Sequence, residues 1–256
     1  MRGSVSGRAS VCNLGGGLDS ATEGARVITL NTLQPDRVRV VTFDCYGTLI
    51  DWETGIWNAF REAAGHDGIT LDRAEVTAAY HAIEPKVESG HFRPYREVLA
   101  ETARRVAAEC GWTISAERAA FLPRSLGSWP PFADTNPALE RMAGRLRLGI
   151  LSNVDEDLLE QTRRRLSVEF DFWVTADRVE SYKPDLAHFE AARPYVGDPA
   201  GWLHVAQSLF HDVGPANCVA VPVVWVNRKG DERPADGPLP DREVPDLTLL
   251  ADWLVG

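Results

Sequence analysis

No cluster of lysine and arginine stands out in this 256-residue chain, whose formal net charge is −10. A protein that grips a phosphate backbone needs such a cluster, so nucleic acid is excluded as a partner. The arginines are scattered along predicted helices and read as solvated faces. No apolar run approaches the ~18 to 20 residues of a membrane span, and the opening M-R-G-S-V-S-G-R-A-S lacks the apolar stretch of a secretory signal. The four cysteines (Cys12, Cys45, Cys110, Cys218) include no C-x-x-C pair. A chain this long does not need disulfide staples, which fits a reduced, cytoplasmic protein. The Gly15-Gly16-Gly17 run is not a phosphate loop, since no strand precedes it and no Gly-Lys-Ser follows. There is no internal repeat.

Hydrophobic residues make up 44% and charged residues 25%, an ordinary balance for a globular enzyme and the wrong one for a disordered chain. The length holds one large domain, or a core with a smaller insertion. Residues 1–36, rich in Gly, Ser and Ala, read as a poorly ordered extension or a mis-assigned start. From Val38 to Phe43 runs a continuous apolar, β-branched stretch, as in a central parallel strand covered on both faces. Residues 54–130 then read as four helices (Trp57–Ala64, Arg73–Val87, Tyr95–Cys110, Ala116–Ser125) with no strand signal between them. After Pro131 strands and helices alternate: L-R-L-G-I-L-S-N, F-D-F-W-V-T, W-L-H-V-A-Q and V-P-V-V-W-V-N are strands. A loop rich in Pro and Asp follows, then a helix over Leu247–Leu254. Such alternation predicts an α/β fold, a doubly wound parallel sheet with right-handed crossovers. The core spans 37–53 and 131–256, and an all-helical cap over 54–130 is inserted after the first strand.

In an open α/β sheet, ligands bind at the carboxyl ends of the strands. The first strand delivers Asp44, with Thr48 just beyond, and the second delivers Ser152 and Asn153. After the third comes S-Y-K-P-D with Lys183, and the fourth leads to Ser208 and Asp212. One carboxylate, two hydroxyls, an amide, a lysine and a second carboxylate are thus expected on one rim. Four strand ends agreeing is a far stronger signal than any one of them, since Asp or Asn alone also caps helices and turns.

D-C-Y-G-T-L-I-D, I-L-S-N, Y-K-P-D and the S-x-x-x-D of Ser208 to Asp212, in that order, resemble the haloacid dehalogenase superfamily. The resemblance spans nearly everything after residue 38, helical cap included. The D-x-Y-G-T form is similar to the L-2-haloacid dehalogenase branch, where phosphatases of the superfamily carry D-x-D. The resemblance implies attack by Asp44 on an electrophilic carbon, a covalent aspartyl ester, and its opening by water. Thr48 would orient Asp44 and Lys183 hold its charge, while Asp212 would hold Lys183 and activate the water. Ser152 is counted with the catalytic groups. Cys45, Tyr46, Asn153 and Ser208 are expected around the substrate, although Cys45 also reads as a small core side chain. His211 reads as a partly buried histidine rather than a base.

A halide leaves as a stable anion and needs no proton, so an acid at position 46 is superfluous and a tyrosine ring can line the pocket. Mg²⁺ prefers hard anionic oxygens, and Gln207 stands where phosphatases carry an acid, so no metal or other cofactor is expected; magnesium belongs only to a phosphatase alternative. Three positions depart from the branch. Its cap arginine has no clear match, leaving His81, Arg93 or Arg96 as substitutes. A tyrosine six residues after the lysine is Phe189 here, and an amide is replaced by Leu209. Trp57, Tyr80, Phe92 and Trp129 read as cap packing at least as readily as pocket wall. The expectation is therefore a hydrolase of short 2-haloalkanoic acids, with a small carboxylate as its partner and a homodimer allowed. The alternatives are a Mg²⁺-dependent phosphatase, against which Tyr46 and Gln207 count, and a non-catalytic binding module.

Overall fold

The computed structural model describes residues 33–256. Residues 1–32 of the expected extension, with Cys12 and the triple glycine, lie outside the described residues, while Leu33 already packs on the core. The strands are β1 (Val40–Phe43), β2 (Arg147–Ser152), β3 (Phe172–Thr175), β4 (Trp202–Ala206), β5 (Val223–Val226) and β6 (Arg242–Val244). They form one sheet in the order β3-β2-β1-β4-β5-β6, and every neighbouring pair is parallel. The α/β doubly wound sheet read from the sequence is the observed fold.

β1 is central, and all four of its residues are buried. Its neighbours hold it in register on both sides, with Phe43 opposite Ile150 of β2 and Val205 of β4. The winding reverses between β1 and β4, so the crevice at their carboxyl ends is the place where this topology binds ligands. Alternate residues face opposite layers. Val41 and Phe43 join one apolar cluster with Ile150, Leu203 and Val205, and Val40 joins the other with Leu151, Trp202 and Val223. Burying each such side chain contributes about 1.5–3 kcal/mol.

The helical insertion comprises α1 (Trp52–His66), α2 (Arg73–Glu88), α3 (Tyr95–Glu109), α4 (Ala116–Ala119) and α5 (Phe121–Ser125). α1 starts at Trp52, five residues before the predicted start, because the Asp51 side chain caps it by accepting from the Thr54 N–H at 3.0 Å. The single helix predicted over 116–125 is broken at Ala120 into α4 and α5. The chain leaves and re-enters the sheet layer through two antiparallel strands of linker. The Asp51 N–H donates to the Pro130 carbonyl at 2.9 Å and the Phe132 N–H to the Leu49 carbonyl at 3.1 Å.

Around the sheet lie α6 (Thr135–Ala143), α7 (Glu156–Arg163), α8 (Ala176–Val179), α9 (Ala187–Val196), α10 (Gly214–Cys218) and α11 (Leu247–Val255). After β4 the chain forms a π-turn over Leu209–Val213 that runs into α10. The segment read as a loop rich in Pro and Asp contains β6, whose exposed Arg242 and Glu243 carry no strand signal. Among the described residues no helix is long and apolar enough to cross a membrane.

Candidate active site

Asp44 is the first residue past β1, its N–H still paired with the Val205 carbonyl at 3.0 Å. The chain then turns at Gly47, whose φ of 101° suits a residue without a Cβ. A Cβ there would lie 3.3 Å from both the Gln207 Oε1 and the Trp52 Nε1. This turn folds Thr48 back so that its hydroxyl donates to Asp44 Oδ2 at 2.8 Å and accepts from the Gln207 N–H at 2.9 Å. From behind, the Arg228 guanidinium donates to the Thr48 carbonyl at 2.8 Å while it pairs with Asp134.

Lys183 is 1% exposed, and its ammonium has three donors that all find acceptors. They reach Asp44 Oδ1 at 3.0 Å, Asp212 Oδ1 at 2.6 Å and the Leu151 carbonyl at 2.9 Å. Burial disfavours the charge, but Asp212 and Asp44 outweigh it and hold Lys183 above the usual lysine range. Burial likewise acts to raise Asp212, yet Lys183 and His204 reverse this and keep its carboxyl well below the usual range. Burial pushes the Asp44 carboxyl up, with Lys183 and Thr48 opposing. Asp44 therefore depends on this lysine to stay ionised.

A buried chain of donors stands behind Asp212. The Trp202 indole donates to the Thr42 hydroxyl at 2.8 Å, Thr42 meets His204 Nδ1 at 2.9 Å, and His204 Nε2 reaches Asp212 Oδ1 at 3.1 Å. An ionised carboxylate only accepts, so Nε2 carries the proton and Nδ1 accepts from Thr42. Phe189, where the resembling enzymes have a tyrosine, packs edge-on against the His204 ring at 4.9 Å. Both contacts to Asp212 fall on Oδ1, and its buried Oδ2 has no partner among the described residues.

The cavity above these groups has a volume of about 300 Å³. Asp44, Ser152, Lys183, Ser208 and Asp212 line it, and Thr48 acts on Asp44 from just outside. The Ser152 hydroxyl is fully buried and has no partner among the described residues, so it is available to a ligand. Tyr46 lines the wall with its ring, edge-on to Trp129 at 5.8 Å, while its hydroxyl is engaged with Thr162 at 2.8 Å. Ser208 also caps the π-turn by accepting from the His211 N–H at 3.0 Å. His211 lines the cavity too, and burial holds its imidazole below the usual range.

Several expected substrate contacts are placed differently. Cys45 is fully buried in the apolar core and does not line the cavity; burial raises its thiol well above the usual range. Arg93 does not line it either, since its guanidinium donates to the Val87 carbonyl at 2.5 Å. Arg96 pairs with Asp155 at 2.9 Å and with Asp157. Asn153 borders the cavity, but its amide forms two bonds with the Lys183 backbone, at 2.7 and 3.0 Å. It is therefore a positioning residue for the lysine. His81 is at the mouth, paired with Glu53 at 3.1 Å. Of the cap aromatics, Tyr80 and Trp129 line the cavity and Trp57 and Phe92 do not.

Other groups at the site carry no signal in the motifs. Asp155 accepts from the Tyr95 N–H at 2.7 Å and the Arg96 N–H at 3.0 Å, so the core caps α3 of the insertion. Glu84, Glu88, Trp52 and Tyr95 form the cap end of the cavity. Only the spacing of the two glutamates, four residues apart on one helix, hinted that they share a face.

An (S)-2-haloacid dehalogenase of Pseudomonas putida is 26% identical to this chain over 226 residues, covering 87% of it and all of the relative. The L-2-haloacid dehalogenase of Xanthobacter autotrophicus with chloropropionic acid covalently bound shares the fold at a TM-score of 0.74 and 21% identity. The match covers 86% of this chain and 99% of that one. A HAD-hydrolase of Bacillus subtilis bound to magnesium matches equally well, with a TM-score of 0.74, 18% identity, and 85% and 99% of the two chains covered. The family model for haloacid dehalogenase-like hydrolases matches residues 38–221, and the chain belongs to that family.

Proposed function

We propose that the protein hydrolyses the carbon–halogen bond of short (S)-2-haloalkanoic acids through an aspartyl ester on Asp44. One observation carries this reading: Asp44 opens onto the cavity beside Tyr46, whose hydroxyl is tied to Thr162. Nothing acidic sits two residues on to protonate a departing alkoxide, and a halide needs no such proton. The 26%-identical Pseudomonas putida relative named for this activity supports it.

The Asp44 carboxylate attacks the α-carbon. The new C–O bond forms as the carbon–halogen bond breaks, and the halide leaves with the electron pair. Lys183 and Thr48 keep the nucleophile ionised and aimed, and the Ser152 hydroxyl receives the substrate carboxylate. Water then adds to the Asp44 ester carbonyl, giving up a proton to Asp212 Oδ2. Collapse breaks the bond between the ester carbonyl and the substrate oxygen. That oxygen takes the second proton of the added water and leaves as the 2-hydroxy acid. Asp44 is restored as a carboxylate, and Asp212 passes its proton to solvent.

A required metal is not part of this reading. The Lys183 ammonium already bridges Asp44 and Asp212, Thr48 occupies the other Asp44 oxygen, and Gln207 supplies no anion. That leaves one anionic oxygen, Asp212 Oδ2, where Mg²⁺ prefers several. A cytoplasmic location and a homodimer belong to the same proposal, to be checked by cell fractionation and light scattering. The central test is halide release from 2-chloropropionate or 2-bromoacetate, with and without EDTA. Release that EDTA leaves unchanged is expected. Release no greater than that of Asp44→Asn refutes the reading, and magnesium-stimulated phosphate release from a metabolite panel would replace it with a phosphatase.

A further inference from the structure

Among the described residues neither an arginine nor a second lysine lines the cavity where the resembling branch is expected to carry a cap arginine, although the imidazoles of His81 and His211 do. Four carboxylates line the cavity (Asp44, Glu84, Glu88 and Asp212), and among the described residues no arginine does. The one ammonium, Lys183, is already bonded to Asp44 and Asp212. Glu84 and Glu88 sit one turn apart on α2 at the cap end. Glu84 accepts from the Tyr95 hydroxyl at 3.2 Å, whereas Glu88 has no hydrogen-bonded partner among the described residues. Burial and the neighbouring Glu84 push Glu88 up to about 8, and burial raises Glu84 too. Like charges one turn apart on a helix repel, so the two carboxyls ionise together only with a cation placed beside them.

Two further observations point to what supplies that charge. The rings of Trp52, Tyr80 and Tyr95 line the same end, with Trp52 and Tyr80 centroids 5.5 Å apart, and aromatic faces attract cations. At the opposite, core end, Ser152 Oγ and Asp212 Oδ2 are fully buried and unpartnered among the described residues. The floor thus offers a free hydroxyl beside an ammonium shared by two carboxylates, and the roof offers two carboxylates and aromatic rings.

We infer that α2 builds a cation subsite, and that the substrate is a 2-halo acid whose carbon chain ends in a protonated amine. The carboxylate sits at Ser152 and the ammonium between Glu84 and Glu88. The halogen in this assignment rests on the dehalogenase reading, whereas the ammonium subsite does not.

Calorimetry with the full chain separates the two. The probes are 4-aminobutanoate, 5-aminopentanoate and 6-aminohexanoate, each against the acid of equal length without the amine. At one length or more the amino acid binds roughly tenfold tighter or better. The preference disappears in Glu84→Gln/Glu88→Gln, whose fold is checked by circular dichroism. Equal binding, tighter binding of the plain acids, no binding of either set, or a preference that survives in the double variant overturns the subsite. A parallel arm measures chloride release from 2-chloro-6-aminohexanoate and 2-chlorohexanoate. If the binding preference holds and neither releases chloride, the dehalogenase reading fails and the subsite stands. If both release chloride alike and binding shows no preference, the subsite fails and the dehalogenase reading stands.

Discussion

Replacing Lys183 by methionine tests the charge arrangement most directly, because the side chain keeps its length and loses only the ammonium. In the wild-type protein that ammonium is 1% exposed and lies between Asp212, also 1% exposed, and Asp44 at 8%. Removing one partner of a buried pair leaves an uncompensated charge and costs about 3–5 kcal/mol. For a domain of this size each kcal/mol moves Tm by about 2–4 °C, so a fall of roughly 6–20 °C is expected. The sign of the pH dependence is the sharper test. With Asp212 held low and Lys183 held high, the contribution of these two is complete between the unfolded carboxylate value near ~4 and the unfolded lysine value near ~10.4. The Asp212 part declines as pH falls toward its folded value and the Lys183 part as pH rises through its own, whereas Asp44, raised by burial, has the opposite sign and loses its contribution as pH rises. In Lys183→Met the two buried carboxylates keep only Thr48 and His204 as donors and lose their counter-charge, so Asp44, already raised, goes higher still and Asp212 rises above its unfolded value. Groups of that kind contribute fully below the unfolded value and lose the contribution as pH rises through the folded one. The gap in Tm between wild type and variant therefore widens from pH 5 to pH 8. Glu88, pushed to about 8, and His188, held down to about 3 by burial, both feel the Lys183 charge, which lowers each, so they do not cancel in the difference. Repeating the melts in a Glu88→Gln background removes the one that titrates between pH 5 and pH 8. Thermal melts followed by circular dichroism at constant ionic strength measure the gap. A gap that stays constant with pH, or a variant as stable as wild type, refutes the assignment of Lys183 as the counter-charge.

His204→Phe keeps the ring but removes the donor to Asp212. Losing a hydrogen bond to a charged group, about 1.5–3 kcal/mol, lowers kcat roughly 10- to 100-fold if it acts in the transition state; KM should hold, and a risen KM with an intact kcat counts against the role. Asp155→Ala strips two backbone donors and Arg96 of their acceptor, costing about 2–4 kcal/mol of cap docking; faster proteolysis within residues 52–129 checks it, and an unchanged cleavage rate argues against the clamp. Gly55→Ala places a Cβ 2.3 Å from Trp129 Cγ, so the indole that borders Tyr46 must move. Overpacking of about 1–3 kcal/mol is offset by up to ~1 kcal/mol of helix propensity. A variant with wild-type Tm and activity would show that the indole yields freely.

The floor of the site was legible because a parallel sheet delivers its reactive groups at fixed places. Asp44, Ser152, Lys183 and Asp212 all follow strands whose apolar runs are plain in the sequence, and the sheet register then brings them together. Asn153 was legible as a member of the rim but not in its role, which depends on where the loop carrying Lys183 passes. Cys45 was misplaced because a strand-end residue beside a nucleophile can point either way, and here alternation sends it into the core. The roof was illegible for a different reason. Which face of α2 looks down depends on how the cap packs, and the cap is held by Asp155, a residue of the core that meets α3 only in three dimensions. Arg93 looked like a replacement arginine by charge alone, yet its guanidinium satisfies the carbonyl that ends α2 near Val87. β6 escaped notice because a three-residue edge strand with two exposed polar residues has no periodicity to read.

This difference between floor and roof also separates reaction from specificity. At the floor the carboxylates of Asp44 and Asp212 share one ammonium, with Thr48 and His204 taking up further lone pairs. Such an arrangement stabilises an aspartate nucleophile whatever departs from it. The choice of leaving group must then lie in residues that add or withhold charge around this floor. Tyr46 and Gln207 withhold it where a phosphatase would place acids, which removes both a proton donor and a metal ligand. Glu84 and Glu88 add it at the other end, where a second anionic group on the substrate would be repelled. On the proposed reading a phosphate ester, already dianionic near neutral pH, would face the Asp44 and Asp212 carboxylates at the floor and those of Glu84 and Glu88 at the roof. A 2-halo acid carries one negative charge, which the floor can accept beside Lys183 and Ser152, and an amine at its far end would turn the roof from an obstacle into a second point of attachment.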